Sequence, residues 1–536
     1  MVKEVLQESL QHALTAVGVD PPAAAAIPVT PTDRRDHGDW ASSVALATAK
    51  AAGRPPRELA EALRTALMAD PPPYVTKVDI AGPGFLNFWL DSSWLHDVLR
   101  SVVTGGVDGY AAPDLGHGER VNVEFVSANP TGPLHVGNGW WCSYGDAVSR
   151  LLQRCGWLVS REYYVNDTGG QIRALGESIL ARRRREAVPE SGYQGQYVAE
   201  LADEYDGPED VVAAGRWAAE RIIGQIRDTL ELIDIRFDDW FSQASIEDSG
   251  AVEETIAELR ARGLIYDQDG AVWLRTTDYG DGRDRVLVKS DGDFTYLAGD
   301  LAYHRNKFFV RGFDRAIDVF GADHHGQVAS LLAGMEALGV ERGRLEIKLG
   351  QMVSLTEGKM SKRAGNFVPL DDLVGDIGPD ATRLLSLLSS VDQSTTIDLE
   401  NVRRKSMDNP VFYVQYAHAR IASIGRVAAE QGVARQPLSD VDLSSLSHER
   451  ELDLLRSLAD LPDAVADACL TRAPHKVTTW VRDLAGRFHS FYHDCRVLGE
   501  GIDPELTQAR LWLVEATQVG LAIGLGLLGV SAPESM

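Results

Sequence analysis

One histidine, His135, stands in a loop otherwise built of small residues, prolines and glycines: SANPTGPLHVGNGWW, residues 127–141. Before it runs VNVEFV, which reads as a strand. After it, Trp141, Tyr144, Val148, Leu151 and Leu152 recur at the spacing of one helical face. A glycine-rich turn from strand to helix lets a ligand approach the backbone closely, and the exposed N–H groups and helix dipole favour phosphate oxygens. His135 and Asn138 can donate hydrogen bonds there, with Pro133 and Gly137 in the same turn. The plainer alternative is a tight turn in which the histidine caps the helix. The loop is neither GxGxxG nor GxxxxGK[ST], so the common dinucleotide and P-loop readings do not apply.

The second group lies far downstream, in KMSKR at 359–363, flanked by Gly358 and Gly365. Lys359 and Lys362, three residues apart and separated by Met360 and Ser361, can close over a triphosphate and neutralise charge as it develops. A lone KxxK would be read as an exposed basic loop. KMSK followed by AGN, paired with an HxGx turn in the same α/β region, is a specific combination.

These groups need a framework, and the chain is long enough for several domains at 536 residues. Apolar residues make up 44% and charged residues 24% of the chain, the composition of a globular protein without a membrane span. The amino terminus reads as an amphipathic helix and not as a secretory signal. Cys142, Cys155, Cys469 and Cys495 are scattered without zinc spacing, so reduced thiols in a cytoplasm are expected, with no zinc. A formal charge of −25 argues against a protein that coats nucleic acid non-specifically. A polyanionic partner would need local basic patches such as Arg182–Arg185, Lys359–Arg363 or Arg403–Lys405, although each such run is more often a solvated face.

Along the chain, residues 1–108 show helical patterns at Val2–Val17 and Arg57–Met68 and a strand in GPGFLNFWL. The glycine-rich GGVDGYAAPDLGHG suggests a linker. Residues 115–400 alternate strands and helices, with LVSREYYV, AVWLRT, RVLVKS, IDVFG and EIKLGQMVSL as strands. That alternation predicts a parallel, doubly wound sheet. Residues about 172–262 look like a helical insertion. Residues 401–536 are helix-dominated, and the apolar LWLVEATQVGLAIGLGLLGV, which carries Glu515 and Gln518, fits a buried helix better than a membrane span.

HVGN (135–138) and KMSKR (359–363) resemble the two signature motifs of class I aminoacyl-tRNA synthetases. VEFVSANPTGPLHVG, REYYVNDTGGQI, FTYLAGDLAYHRNKF, GADHHG, KMSKRAGNF, DNPVFYVQYAHARI and LLGVSAPESM are similar to the pattern of bacterial arginyl-tRNA synthetases over nearly the whole chain. HGDWASSVALATAK and IAGPGFLNFWL resemble that family's added amino-terminal domain.

The resemblance implies an α+β amino-terminal domain contacting tRNA, a Rossmann-type catalytic domain and an all-helical anticodon-binding domain. It implies ATP-dependent activation of L-arginine and transfer to the 3′ end of tRNA(Arg), by a monomer, with Mg2+ accompanying ATP. His135, Asn138, Lys359 and Lys362 would be catalytic, with Pro133, Gly137, Met360 and Ser361 also at the ATP. Asp300 would take the guanidinium, with Tyr296 one helical turn away offering a hydroxyl or stacking contact. Glu124 and Asn129 would sit beside the α-amino group, with Ser127 nearby, and Asp323 and His324 would end another strand at the crevice. Tyr413, Gln415 and Arg420 would face tRNA, although packing accounts for most residues of that run.

The chain departs from the family pattern at Asn138, where a second histidine is usual, and at Gln243, where an acid is common. A relative with shifted amino-acid specificity is therefore the second reading. In the loop helix, Trp141 is expected to face the core and Trp140 to line the nucleotide site.

Overall fold

The computed structural model describes residues 2–32, 34–351, 353–355, 368–393, 395–397 and 407–536. Two compact units are formed: one of Met1–Thr104, Val433–Ala459 and Phe491–Ala516, the other of Gly105–Gly432, Asp460–Ser490 and Thr517–Met536.

In the first unit, α1 (Val2–Ala16) buries Leu6, Leu10 and Leu14, a stripe at helical spacing. Strands β1 (Val29–Pro31), β2 (Trp40–Ser42), β3 (Val75–Ala81) and β4 (Phe85–Leu90) form an antiparallel sheet in the order β1-β2-β4-β3. Helix α2 (Val44–Ala52) follows β2, and α3 (Pro56–Ala69) starts with a proline at its first position and buries Leu59, Leu63 and Leu67. The next helix, α4 (Ser93–Gly109), runs into the stretch read as a linker. Its regular path ends at Gly106, with φ of 58°, so the irregular connection is shorter than its glycine content suggests.

The second unit is built on a five-stranded parallel sheet of β5 (Arg120–Glu124), β6 (Leu158–Val165), β7 (Asp239–Ser242), β11 (Arg315–Gly321) and β12 (Leu345–Gly350), in the order β12-β11-β5-β6-β7. Strand β5 (Arg120–Glu124) leads through the His135 loop to α5 (Val136–Arg154) and back to β6 (Leu158–Val165). Helix α5 lies close on β5 because Gly145 has no side chain: a Cβ there would fall inside the Phe125 ring. Helices α6 (Gly169–Arg183), α7 (Gln196–Glu204) and α8 (Val211–Leu232) follow, and the segment read as a helical insertion then returns to the sheet as edge strand β7 (Asp239–Ser242). Helices α9 (Gln243–Asp248) and α10 (Ala251–Ala261) complete it.

AVWLRT and RVLVKS do not join the parallel sheet. They form β9 (Ala271–Leu274) and β10 (Arg285–Val288) of a separate antiparallel sheet with β8 (Ile265–Gln268). The reason is the Asp269–Gly270 turn, with φ of 55° and 78°, which closes a tight hairpin between β8 and β9. Helix α11 (Tyr296–Arg305) continues into a wide π turn, Asn306–Val310, and then β11 (Arg315–Gly321), α12 (His325–Ala337) and β12 (Leu345–Gly350). EIKLGQMVSL breaks after Gly350, and β13 (Val353–Leu355) pairs instead with β14 (Thr395–Ile397).

Because β5 joins β6 on one side and β11 on the other, the strand order reverses there, and the crevice lies at the carboxyl ends of those strands. Further helices span Pro410–Glu430, Glu449–Thr471, His475–Asp494 and Pro504–Leu527. No described helix is long and apolar enough to cross a membrane. The four cysteines are buried and free of disulfides.

Candidate active site

The backbone leaves β5 in an unusual conformation. Val126 and Ser127 are both left-handed, with φ of 69° and 36°, and a β-branched residue there is strained. Neighbouring groups hold the path. Ser127 Oγ donates to Glu124 Oε1 at 3.0 Å and accepts from the Tyr164 N–H at 3.1 Å. Tyr163 donates its hydroxyl to the Ala128 carbonyl, and Asn129 Oδ1 accepts from Asn166 at 2.8 Å. Tyr197, from the helical segment, bonds the Thr131 carbonyl at 2.7 Å.

His135 is the N-cap of α5, the plainer of the two readings of this residue. Its Nδ1 accepts from the Asn138 N–H at 3.3 Å, while Asn138 Oδ1 accepts from the His135 N–H at 3.0 Å. This reciprocal capping box leaves the neutral ring protonated on Nε2. Asn138 thus works on its own helix as well as standing in the turn. Pro133 is half-buried and Gly137 buried beside them.

Burial of the two tryptophans is the reverse of what the sequence suggested. Trp140 is buried, because it shares the stripe of Tyr144, Val148 and Leu151, whereas Trp141 is half-buried and lays its ring on Gly350 at the end of β12.

Lys359, Met360, Ser361 and Lys362 lie outside the described residues, as do Arg363 and Arg403–Lys405. The chain on the far side of that segment pairs with the loop. Val136 N–H donates to the Val368 carbonyl at 3.1 Å, Leu370 N–H donates to the Leu134 carbonyl at 2.9 Å, and His135 bridges to Pro369. The chain returning from KMSKR is thereby paired with the backbone of the His135 loop.

On the amino-acid side, α11 carries Tyr296 and Asp300. Tyr296, at its first position, is 86% exposed. Asp300 is half-buried, and its carboxylate has no hydrogen-bonding partner among the described residues. Burial pushes its pKa up to about 6, against the pull of His304 and His324 and with the push of Glu124 and Asp318. The structure therefore holds a desolvated, unpaired carboxylate in the crevice, apt for a cation. His324 is exposed in the short turn after β11, its ring 5.4 Å from Phe320, and the backbone of Asp323 shares that turn. Gln243 opens α9 and donates to Glu247 at 2.7 Å.

Glu124 is not a loose strand-end group. It belongs to a buried network that motif reading missed. Asp318, Glu124, Glu162 and Asp239 are register partners on β11, β5, β6 and β7. Cations from α11 and the π turn face them. Lys307, fully buried, donates to Glu124 at 2.7 Å and to Asp318 at 2.8 Å. Arg311 bonds Glu162 and, at 3.1 Å, Asp239. His304 donates through Nε2 to Asp318 at 2.6 Å and through Nδ1 to the Asp300 carbonyl at 2.7 Å. Both partners only accept, so the ring is an imidazolium. Burial opposes that charge, but Asp318 raises the His304 pKa. Burial likewise works against Lys307, yet Asp318 and Glu124 hold it charged. The available signal was an acid within each of the strings VNVEFV, LVSREYYV and IDVFG, where the strands of a parallel sheet are normally apolar throughout.

The residues proposed for RNA sit on the Pro410–Glu430 helix. Tyr413 is half-buried, its ring 4.7 Å from His489. Gln415 is buried and donates to Asp380 at 2.7 Å and the Ser531 carbonyl at 3.1 Å. Arg420 lies over the Tyr416 ring at 4.5 Å. Gln415 thus spends its amide inside the protein, while Tyr413 and Arg420 keep part of their surface exposed.

The parallel sheet, the capped loop and the unpaired acid define the class: residues 216–420 match the family described as tRNA synthetases class I (R), catalytic domain. Residues 4–90 match the arginyl tRNA synthetase N terminal domain, and residues 414–536 the DALR anticodon binding domain. The chain is 48% identical over 531 residues to the arginine–tRNA ligase of Frankia alni, covering 95% of each. It is 45% identical to that of Kineococcus radiotolerans, covering 100% of both. The fold is also that of Thermus thermophilus arginyl-tRNA synthetase, with a TM-score of 0.80 over 100% of both chains at 23% identity. The chain belongs to the arginine–tRNA ligase family.

Proposed function

We propose that this chain activates L-arginine with ATP and transfers it to the 3′ end of tRNA(Arg). The arginine carboxylate attacks the α-phosphate of ATP and diphosphate leaves. A 3′-terminal hydroxyl of the tRNA then attacks the carbonyl carbon and AMP leaves. Placement and charge stabilisation carry both steps.

Four groups share the work in this reading. His135 Nε2–H and the backbone at Gly137 and Asn138 hold phosphate oxygens beside Pro133. Lys359 and Lys362 neutralise the departing diphosphate, with Met360 and Ser361 in the same segment. Asp300 pairs with the guanidinium, flanked by Tyr296 and by His324 and Asp323. Glu124, Ser127 and Asn129 take the α-ammonium end. Magnesium would arrive on the ATP phosphates, which supply its oxygen ligands; the described residues gather no cluster of three His, Cys, Asp or Glu side chains placed for a metal. Tyr413 and Arg420 would meet tRNA directly, and Gln415 would support their helix. The enzyme would work as a monomer in the cytoplasm.

The observation that supports this reading is the backbone pairing of Leu134 and Val136 with Leu370 and Val368, which joins the chain downstream of KMSKR to the His135 loop. Lys362→Ala is expected to slow arginine-dependent ATP–diphosphate exchange by about 10²-fold or more, with tRNA affinity unchanged. An unchanged exchange rate would remove Lys362 from the chemistry. A second reading, shifted amino-acid specificity, is favoured by Gln243, which brings no charge to its position.

A further inference from the structure

Carboxylates side by side in a sheet repel, and in this sheet four of them, Asp318, Glu124, Glu162 and Asp239, occupy one register level. With Asp300 on the facing helix, five acids meet three cations, Lys307, Arg311 and His304, among the described residues. The cluster is two positive charges short of neutral when its acids are ionised. Among the described residues, Asp300 is the one of these acids without a hydrogen bond or ion pair. Arginine has two cationic ends, and joining its carboxylate to phosphate in the mixed anhydride of the adenylate leaves both of them.

Lys307 holds a particular place in this arrangement. Its Nζ has no exposure and lies between Glu124 Oε2 and Asp318 Oδ1, 4.5 Å above the Tyr303 ring. The Tyr303 hydroxyl lies 2.7 Å from the same Glu124 oxygen and also against Glu162, its single hydrogen shared between the two carboxylates. Lysine and tyrosine therefore anchor Oε2, and the other oxygen, Oε1, is the one turned to Ser127 in the strained loop. Tyr303 lies in α11, Lys307 in the π turn and Arg311 directly after it, and together they meet acids on all four of these strands.

We propose that Lys307 is a positioning residue for amino-acid binding: by anchoring Oε2 it aims Glu124 Oε1 at the substrate's α-ammonium and leaves the cluster's charge deficit for the substrate to fill. This rests on Glu124 belonging to the arginine site.

Steady-state aminoacylation with the full chain and tRNA(Arg) tests it through the split between KM for arginine and KM for ATP. Lys307→Met is expected to raise KM for arginine by about ten- to a hundredfold, the worth of a hydrogen bond to a charged group, with KM for ATP unchanged. Lys307→Met/Asp318→Asn should keep that defect, since Glu124 still lacks its anchor. Recovery of KM for arginine in the double variant would mean that Lys307 merely neutralises Asp318, which overturns the proposal, as would an unchanged KM in Lys307→Met. If Lys307→Met does not fold, Lys307→Arg, which keeps the charge and displaces it, decides by the same ratio: a raised KM for arginine alone supports the proposal and an unchanged one overturns it. Glu124→Gln separates the underlying reading. An unaltered KM for arginine there removes Glu124 from the substrate site, and the role of Lys307 falls with it. A raised KM there beside an unaltered one in Lys307→Met overturns the role of Lys307 alone.

Discussion

At the residue scale, the site is a contrast between acids that are paired and one that is not. Glu162 is held below the usual carboxylate range because Arg311 and Lys307 outweigh its burial. Asp300 has burial without a hydrogen-bonding partner among the described residues, and its pKa rises to about 6. The sign of the consequence is definite. A cation is bound by the carboxylate and not by the acid, so arginine binding weakens as pH falls through about 6. KM for arginine should rise roughly tenfold for each pH unit below that point, with KM for ATP flat over the same window. Because the folded pKa lies above the unfolded one, ionised Asp300 disfavours folding at neutral pH, and arginine should raise the melting temperature more at pH 7 than at pH 5. A thermal shift independent of pH would exclude Asp300 as the guanidinium partner. His135, Asn138 and Asp300 could be proposed from the sequence because they sit in short, recognisable strings. Lys307, Arg311, Glu162 and Asp318 could not, since their relation is one of register across strands, which spacing within a string does not encode.

At the element scale, long periodic stretches such as α1, α3 and α5 and the strands flanking α5 read correctly, because one amphipathic pattern decided each of them. AVWLRT and RVLVKS misled, because a strand's own sequence does not say which sheet it joins; the Asp269–Gly270 turn beside them did carry that information. The tryptophan pair was misassigned by one residue, about 100° of helix, which suffices to exchange a buried ring for a half-exposed one. Helix α5 sets where His135 stands, and its seat on β5 depends on Gly145. Gly145→Ala would drive a methyl group into Phe125. It should lower stability by about 1–3 kcal/mol in urea unfolding and slow amino-acid activation as the helix start shifts. Unchanged stability and rate would show that the helix can move without disturbing the loop.

At the scale of the whole molecule, a chain of charge −25 is proposed to hold a polyanion. Association must therefore be local. Arg182–Arg185 form one exposed basic run, in which Arg184 is already paired with Glu209. Binding of tRNA(Arg) should weaken linearly in log K against log salt, with a slope of about −0.7 to −0.9 per phosphate neutralised. A slope near zero would mean that backbone charge plays no part. The cooperation of distant segments is visible in the fold itself. Buried Arg383 bonds Asp146 of α5 and the carbonyls of Ile233 and Leu528, tying the loop helix to the helical segment and the carboxyl terminus. The most direct test of the central claim is charging of purified tRNA(Arg) by the full chain with ATP and, in turn, arginine, canavanine and citrulline. Arginine should be preferred over citrulline by about 10²-fold or more in kcat/KM, because citrulline lacks the charge that Asp300 needs. Equal use of citrulline, or no charging with arginine, would contradict the account.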